Sequence, residues 1–162
     1  MVINEKLKIS QSSIRDVKVG KNVHVIEPCN LYECEIDDYV FIGPFCEIQK
    51  DVKIGKGTRI QSHSFICSLV EIGENCFIGH GVMFVNDKFQ DGKPAQNDSS
   101  KWERTNIENN VYIGSNVTIL PVNIAEGVVV GAGSVVTKDL LKPGKYAGNP
   151  ASLLKGSHEH SI

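Results

Sequence analysis

IGPFCEIQKDVKIGKGTRIQSHSFICSLVEIGENCFIGHGVMF, residues 42–84, decides the fold. Every sixth residue from its start is large and apolar: Ile42, Ile48, Ile54, Ile60, Ile66, Ile72, Ile78 and Phe84. Four residues after each of the first seven stand Cys46, Val52, Thr58, Ser64, Val70, Cys76 and Val82, all small or β-branched and able to face inward without crowding. A helical period of 3.6, or the alternation of a half-buried strand, would drive the Lys, Asp, Glu and Gln of this stretch into the core. A period of six with two inward positions is the pattern of a parallel β-helix, in which each short strand lies on the strand one coil below and the isoleucines ladder up a shared core. Gly43, Gly55, Gly73 and Gly79 each follow a ladder isoleucine, where a sharp bend is expected to exclude a side chain.

Toward the N-terminus, Val19, Val25 and Ile36 extend the ladder with one residue missing between the last two, so coils are expected from about Ile14. Ile3, Leu7 and Ile9 are expected to cover the open end, which would otherwise expose unpaired strand edges. After Phe84 the pattern stops. Residues 85–106, VNDKFQDGKPAQNDSSKWERTN, are polar and rich in turn formers, and they delay the next ladder residue, Ile107, by 17 positions. A solenoid tolerates such an insertion at a corner, and loops of this kind usually lie on the functional face. The ladder resumes at Ile107, Ile113 and Ile119, slips by one at Ile124 and continues through Val130 and Val136. Pro143–Gly144 marks a turn, the segment 150–155 reads as a short helix over the last coil, and the tail from Gly156 as disordered. The chain therefore reads as one all-β domain, 1–162. Its coils are expected at 14–84 and 107–140, a protruding loop at 85–106, and a cap and tail at 141–162.

Composition bounds the function. Charged residues at 22% and a formal net charge of -2 give no argument for nucleic acid or a membrane surface as partner. The first ten residues, MVINEKLKIS, hold no apolar signal core, and no stretch is long enough to span a bilayer, so the reading is a cytoplasmic protein. Of the five cysteines, Cys29, Cys46 and Cys76 fall where the repeat wants a small residue, and Cys34 fits if the ladder slips near Asn30. An odd count at such positions reads as reduced core thiols rather than a disulfide framework or a metal set.

These residues resemble the left-handed β-helix, hexapeptide-repeat acyltransferases, over nearly all of the chain from about Val19 to Lys155. GAGSVVTKDL (131–140) followed by PGKYAGNPA (143–151) looks like the acyl-CoA-binding end of these enzymes. IGHGVMFVND (78–87), with WERTNI (102–107) in the loop, looks like the branch that N-acetylates a nucleotide-linked amino sugar for surface polysaccharides or glycans. The left hand is what the resemblance implies; crossover physics alone favours the right. The resemblance also implies homotrimers with the active site between neighbouring β-helices, the loop reaching toward an adjacent subunit.

Acetyl transfer requires a neutral amine placed on the thioester carbonyl, donors for the developing oxyanion, and a route for the amine proton. Asn86 matches the amino-sugar branch best: its amide oxygen can accept a hydrogen bond from the amine and orient the lone pair. Asp87 can do the same with a charge, and the departing thiolate, with a thiol pKa of about 8.5, can collect the proton. His80 competes as a general base, against the reading that it is a solvent-facing histidine without a role. Asn86 and Asp87 equally suit a plain turn that opens a loop. Candidate acceptor contacts are Phe84, Trp102, Glu103, Arg104 and His63, the last lying about one coil before His80. For acetyl-CoA, the acyl donor, the candidates are Gly114, Gly131, Ala132 and Gly133 on the pantetheine arm and Lys138 and Lys155 on the phosphates; no metal is called for. The alternatives are O-acetylation of an alcohol, for which a histidine base is more necessary, a zinc-dependent hydratase of carbonic anhydrase type, which lacks an evident third histidine, and a trimeric scaffold.

Overall fold

The protein is described as a computed structural model covering residues 14–96 and 98–155. The expected cover from Ile3, Leu7 and Ile9 and the tail beyond Lys155 lie outside the described residues. The chain winds into a parallel β-solenoid of about seven turns, consistent with a left-handed β-helix, whose three faces are sheets of seven, six and eight strands. Among the described residues all strand pairings are parallel apart from one antiparallel pair. Register follows the ladder. On the eight-stranded sheet Ile42 stacks on Ile60, Ile60 on Ile78, Ile78 on Ile113 and Ile113 on Val130. On the six-stranded sheet the sequence is Ile36, Ile54, Ile72, Ile107 and Ile124. From Ile42 upward these residues are buried, each contributing roughly 1.5–3 kcal/mol by leaving water.

The corners correct one expectation. The glycines after ladder isoleucines have no left-handed φ; they are small because successive coils touch there. A Cβ on Gly43 would sit 2.8 Å from the Ser62 amide nitrogen, and one on Gly79 would sit 2.7 Å from the Gly114 carbonyl carbon. The left-handed residue comes two positions later. It is Phe45, His63, Asn75, Asn110 or Asn116 at different corners, with φ between 54 and 64. At the top of the solenoid the expected helix over 150–155 is replaced by strands. Gly144–Ala147 adds to the eight-stranded sheet beside Val128–Val130, and Ser152–Leu153 folds back antiparallel on it. A six-residue helix is too short to hold itself, whereas the exposed strand edge offers hydrogen bonds at once.

All five cysteines are buried and free. Burial pushes the thiols of Cys34 and Cys46 up to about 11 and that of Cys67 to about 12. Among the described residues no helix is long and apolar enough to cross a membrane.

Candidate functional site

Three edges join the three faces, and two of them carry the candidate residues. On the first, where the chain passes from the eight-stranded to the seven-stranded sheet, Ser62, His80, Ser115 and Ala132 occupy one column on successive coils. The column is held by backbone bonds: the Gly81 amide donates to the Ser62 carbonyl at 3.0 Å, Asn116 to that of His80 at 2.7 Å, and Gly133 to that of Ser115 at 2.9 Å. His80 is exposed. Its Nδ1 lies 2.9 Å from Ser62 Oγ one coil below, so in the tautomer that donates to this hydroxyl, Nε2 is left bare as an acceptor facing outward.

Two coils above, about 10 Å by strand spacing, Gly131–Gly133 continue the same edge. Ser134 pins this turn, its buried hydroxyl donating to the Gly131 carbonyl at 2.7 Å while accepting from the Gly148 amide at 3.1 Å. Gly133 has φ 70 and nothing within 4 Å of its missing Cβ, so its backbone is open to approach. Gly114, by contrast, is small because a Cβ would meet the Ala132 amide nitrogen at 2.5 Å.

The second edge, from the seven-stranded to the six-stranded sheet, carries the loop. Asn86 Nδ2 donates to the Ser68 carbonyl at 3.2 Å, which turns Oδ1 away from that bond and leaves it available as an acceptor. The stem closes with the Glu103 amide donating to the Asn86 carbonyl at 2.9 Å. Asp87 spends its carboxylate inside the loop, accepting from the Phe89 amide at 2.9 Å and the Ala95 amide at 2.8 Å. Glu103 pairs with Lys88 at 2.8 Å and accepts from Gln90 at 2.7 Å; the Lys88 ammonium holds its carboxyl below the usual range. Arg104 reaches across to Glu71 on the six-stranded face at 3.4 Å. The half-buried Trp102 follows the short 3-10 turn Ser99–Lys101.

The structure therefore brings His80, Ser62, His63 and Gly131–Gly133 onto one edge, and Asn86, Asp87 and Trp102 onto another. Only five residues separate His80 from Asn86 in sequence, but the strand Met83–Phe84 carries the chain across a whole face between them. Three expectations need correction. Phe84 is a ladder residue, 1% exposed, and its side chain cannot touch an acceptor. Glu103 is engaged within the chain by Lys88 and Gln90 and, as a carboxylate, would repel a diphosphate, whereas Arg104 keeps a 67% exposed side chain beside Glu71. Lys138 sits above the loop edge, beside Asp139, which caps Asn123, so within one chain it is not gathered with Gly131–Gly133. Lys155 instead follows the returning strand Ser152–Leu153, on the eight-stranded face. His63 does lie on the coil before His80, one column aside, and its ring stacks on that of Phe45 with centroids 4.9 Å apart. Phe45 was not legible as a site residue, although an aromatic at the corner position that favours Asn or Gly was a visible signal. Among the described residues no group of three His, Cys, Asp or Glu side chains could hold a metal ion.

A shallow groove of about 620 Å³ also runs along the six-stranded face. It is lined by Lys18, Glu35, Lys53 and Glu71, and these charges neutralise one another in pairs at 2.8 and 3.3 Å. It holds none of the candidate residues.

Comparison with known proteins agrees with this fold. Residues 33–68 match the family model described as bacterial transferase hexapeptide (six repeats), and residues 69–83 and 104–138 match that of the hexapeptide repeat of succinyl-transferase. The bifunctional protein GlmU of Caldicellulosiruptor saccharolyticus is 39% identical over 134 residues, 82% of this chain; the chain spans 25% of that protein's length. Among solved structures, a variant of AntD, an N-acyltransferase from Bacillus cereus in complex with dTDP and coenzyme A, superposes with a TM-score of 0.75 at 26% identity. The match covers 85% of this chain and 82% of that one. The hexapeptide-repeat acetyltransferase VCA0836 of Vibrio cholerae, complexed with acetyl-coenzyme A, gives 0.65 at 25% identity over 79% of this chain and 73% of that one.

Proposed function

From the premise that the chain belongs to the bacterial hexapeptide-repeat acyltransferases, we propose that it transfers an acetyl group from acetyl-CoA to the amine of a nucleotide-linked amino sugar. The observation that carries this reading is the single edge on which the turn Gly131–Gly133, open at Gly133, stands two coils above His80. A thioester arm laid along that edge, bonded by main-chain groups, brings its acyl end toward His80 Nε2. Lys155 supplies charge for the donor's phosphates from the same end of the solenoid. The likeness to an N-acyltransferase holding dTDP and coenzyme A supports the amine and the nucleotide; the sugar follows from the match of Ile78–Asp87 to the amino-sugar branch.

Asn86 Oδ1, left free by the bond from Nδ2 to Ser68, accepts from the attacking amine and turns its lone pair onto the carbonyl. His80 accepts the proton that the amine nitrogen loses once its bond to the carbonyl carbon has formed, and returns it to the thiolate that departs as the C–S bond breaks. Because these two residues stand on different edges of one chain, the reading requires a second copy to bring them together, as in a homotrimer whose loop edge faces its neighbour's histidine edge. Asp87 then acts through the loop, holding the turn that positions Asn86.

The test is thiol release from acetyl-CoA against nucleotide-linked sugars bearing amines at different carbons, with matched hydroxyl sugars as controls. Release with one amino sugar is expected. Release only with a hydroxyl sugar would move the acceptor to the alcohols, and a protein that does not bind coenzyme A would not be an acetyltransferase of this kind. The buried thiols of the protein itself keep the background of this assay low.

A further inference from the structure

Resting on the nucleotide-sugar reading above, we propose that Phe45 and His63 form the stacking platform for the base of the acceptor nucleotide. Their rings stack with centroids 4.9 Å apart and planes 29° from parallel. Both residues are exposed, Phe45 to 57%, so the pair does not serve the core. Both sit at the left-handed corner position, with φ of 61 and 64, a conformation that bulky residues seldom adopt and that persists where the surrounding structure over-determines it. On the coils above, the same column is filled by Gly81, Asn116 and Gly133, the residue types the position favours. Two successive coils thus place aromatic rings where glycine or asparagine would be easier, and they do so on the edge that bears His80.

The order along this edge matches the order of groups in a nucleotide-linked sugar. The His63 amide donates to the Pro44 carbonyl and the Gly81 amide to the Ser62 carbonyl, which sets His63 one coil below His80 and Phe45 two coils below. The base rests on Phe45, the sugar reaches His80, and the acyl donor descends from Gly131–Gly133. Charge for the diphosphate is available on the adjoining face. Arg59, on the same coil as His63, is held with its guanidinium carbon 4.2 Å from the centre of the Phe41 ring, and among the described residues it has no carboxylate partner. The other exposed left-handed aromatics lack this setting: Tyr39 lies on the third edge under Lys56, and Phe89 lies in the loop.

The experiment is calorimetric titration of the full chain with UDP, dTDP, GDP and inorganic pyrophosphate, comparing wild type with Phe45→Asn. Asparagine keeps the left-handed turn and removes the ring, so folding is preserved. His63→Asn serves as a second variant on the same principle. One nucleoside diphosphate is expected to bind wild type, to weaken about 5- to 150-fold in Phe45→Asn, and to shift the His63 ring resonances; pyrophosphate binding is expected to be unchanged. Equal nucleotide affinity in both proteins would remove the platform and leave the nucleotide-sugar reading standing. If Phe45→Asn alters the sedimenting mass and not the affinity, the rings are a subunit contact and the proposal fails. A wild-type protein that binds coenzyme A but no nucleoside diphosphate overturns both readings.

Discussion

Along the edge that carries His80, each coil sets its residues on those of the coil below. Along the opposite margin of the same seven-stranded sheet, one coil departs for about twenty residues and fastens the excursion with its own side chains. The first edge is built by repetition: Ser62 lies under His80, Phe45 under His63, and each position is fixed by backbone bonds to its neighbours. The second is built by local bonds, Asp87 to two loop amides and Glu103 to Lys88. Repetition gives rigidity and a long straight track suited to an extended acyl donor. The excursion gives reach, which a single prism otherwise lacks. Residues 80 and 86, neighbours in sequence, therefore stand on different edges, and a site that needs both is incomplete in one chain.

The sharpest way to break this contrast is complementation. His80→Ala is expected to lower kcat by about 10²- to 10⁴-fold if the imidazole takes the proton. Asn86→Ala is expected to lower it by up to about 10²-fold through misplacement of the amine. When the two impaired proteins are co-expressed with different tags and purified through both, a site shared between copies regains both groups at about one in three positions of a three-membered ring that holds both variants. Steady-state acetyl transfer by doubly purified assemblies checks this. No recovery would mean that one chain supplies both groups, or that only one of them matters.

What was legible in the sequence follows the same contrast. The stretch from Ile42 to Phe84 announced its coils because every ladder isoleucine meets another in register, so spacing alone carried the information. The corner glycines are visible in the sequence but their cause is not: the close approach of coils at Gly43 and Gly79 depends on the distance to the next turn, which no single repeat states. The segment 150–155 has the Asn-Pro start of a helix and becomes a strand because an open sheet edge lies beside it. Asn86 stands out by motif, yet its bond to Ser68 and the contacts of Glu103 and Arg104 depend on partners 18, 15 and 33 residues away.

The thiols probe the two edges at intermediate strength. Cys46 Sγ donates to the Gln61 carbonyl beneath the histidine edge at 3.1 Å, and Cys67 lies at the corner next to Ser68, which holds the loop. Their folded pKa values, about 11 and about 12, exceed the ordinary 9.0 because burial disfavours the thiolate. Below pH 9 thiols stay protonated in both states and the full contribution to stability is present. Between pH 9 and about 11 or 12 the unfolded chain binds fewer protons than the folded one, so stability falls as pH rises. The slope is about 1.4 kcal/mol per pH unit for each thiol that differs. Urea midpoints across this range, in wild type and in Cys67→Ala, should show the shallower slope in the variant. A thiol reagent at pH 8 should label neither cysteine in the folded protein; early labelling of Cys67 alone would mean that the loop edge opens locally.

The smallest expected effect concerns the loop's ion pair. Lys88 Nζ and Glu103 Oε2 are 2.8 Å apart, but their side chains remain 40% and 33% exposed, so water and salt screen the attraction. Glu103→Gln is expected to cost under about 1 kcal/mol in urea denaturation, and raised salt should narrow the difference from wild type. Asp87→Asn should cost more, about 1–3 kcal/mol, because the carboxylate serves two backbone amides and an amide side chain offers only one acceptor oxygen. The order of these two losses separates an excursion held by the backbone hydrogen bonds to Asp87 from one held by the Lys88–Glu103 ion pair. If Glu103→Gln proved the more damaging, the stem rather than Asp87 would position Asn86, and the loop edge would be held together electrostatically.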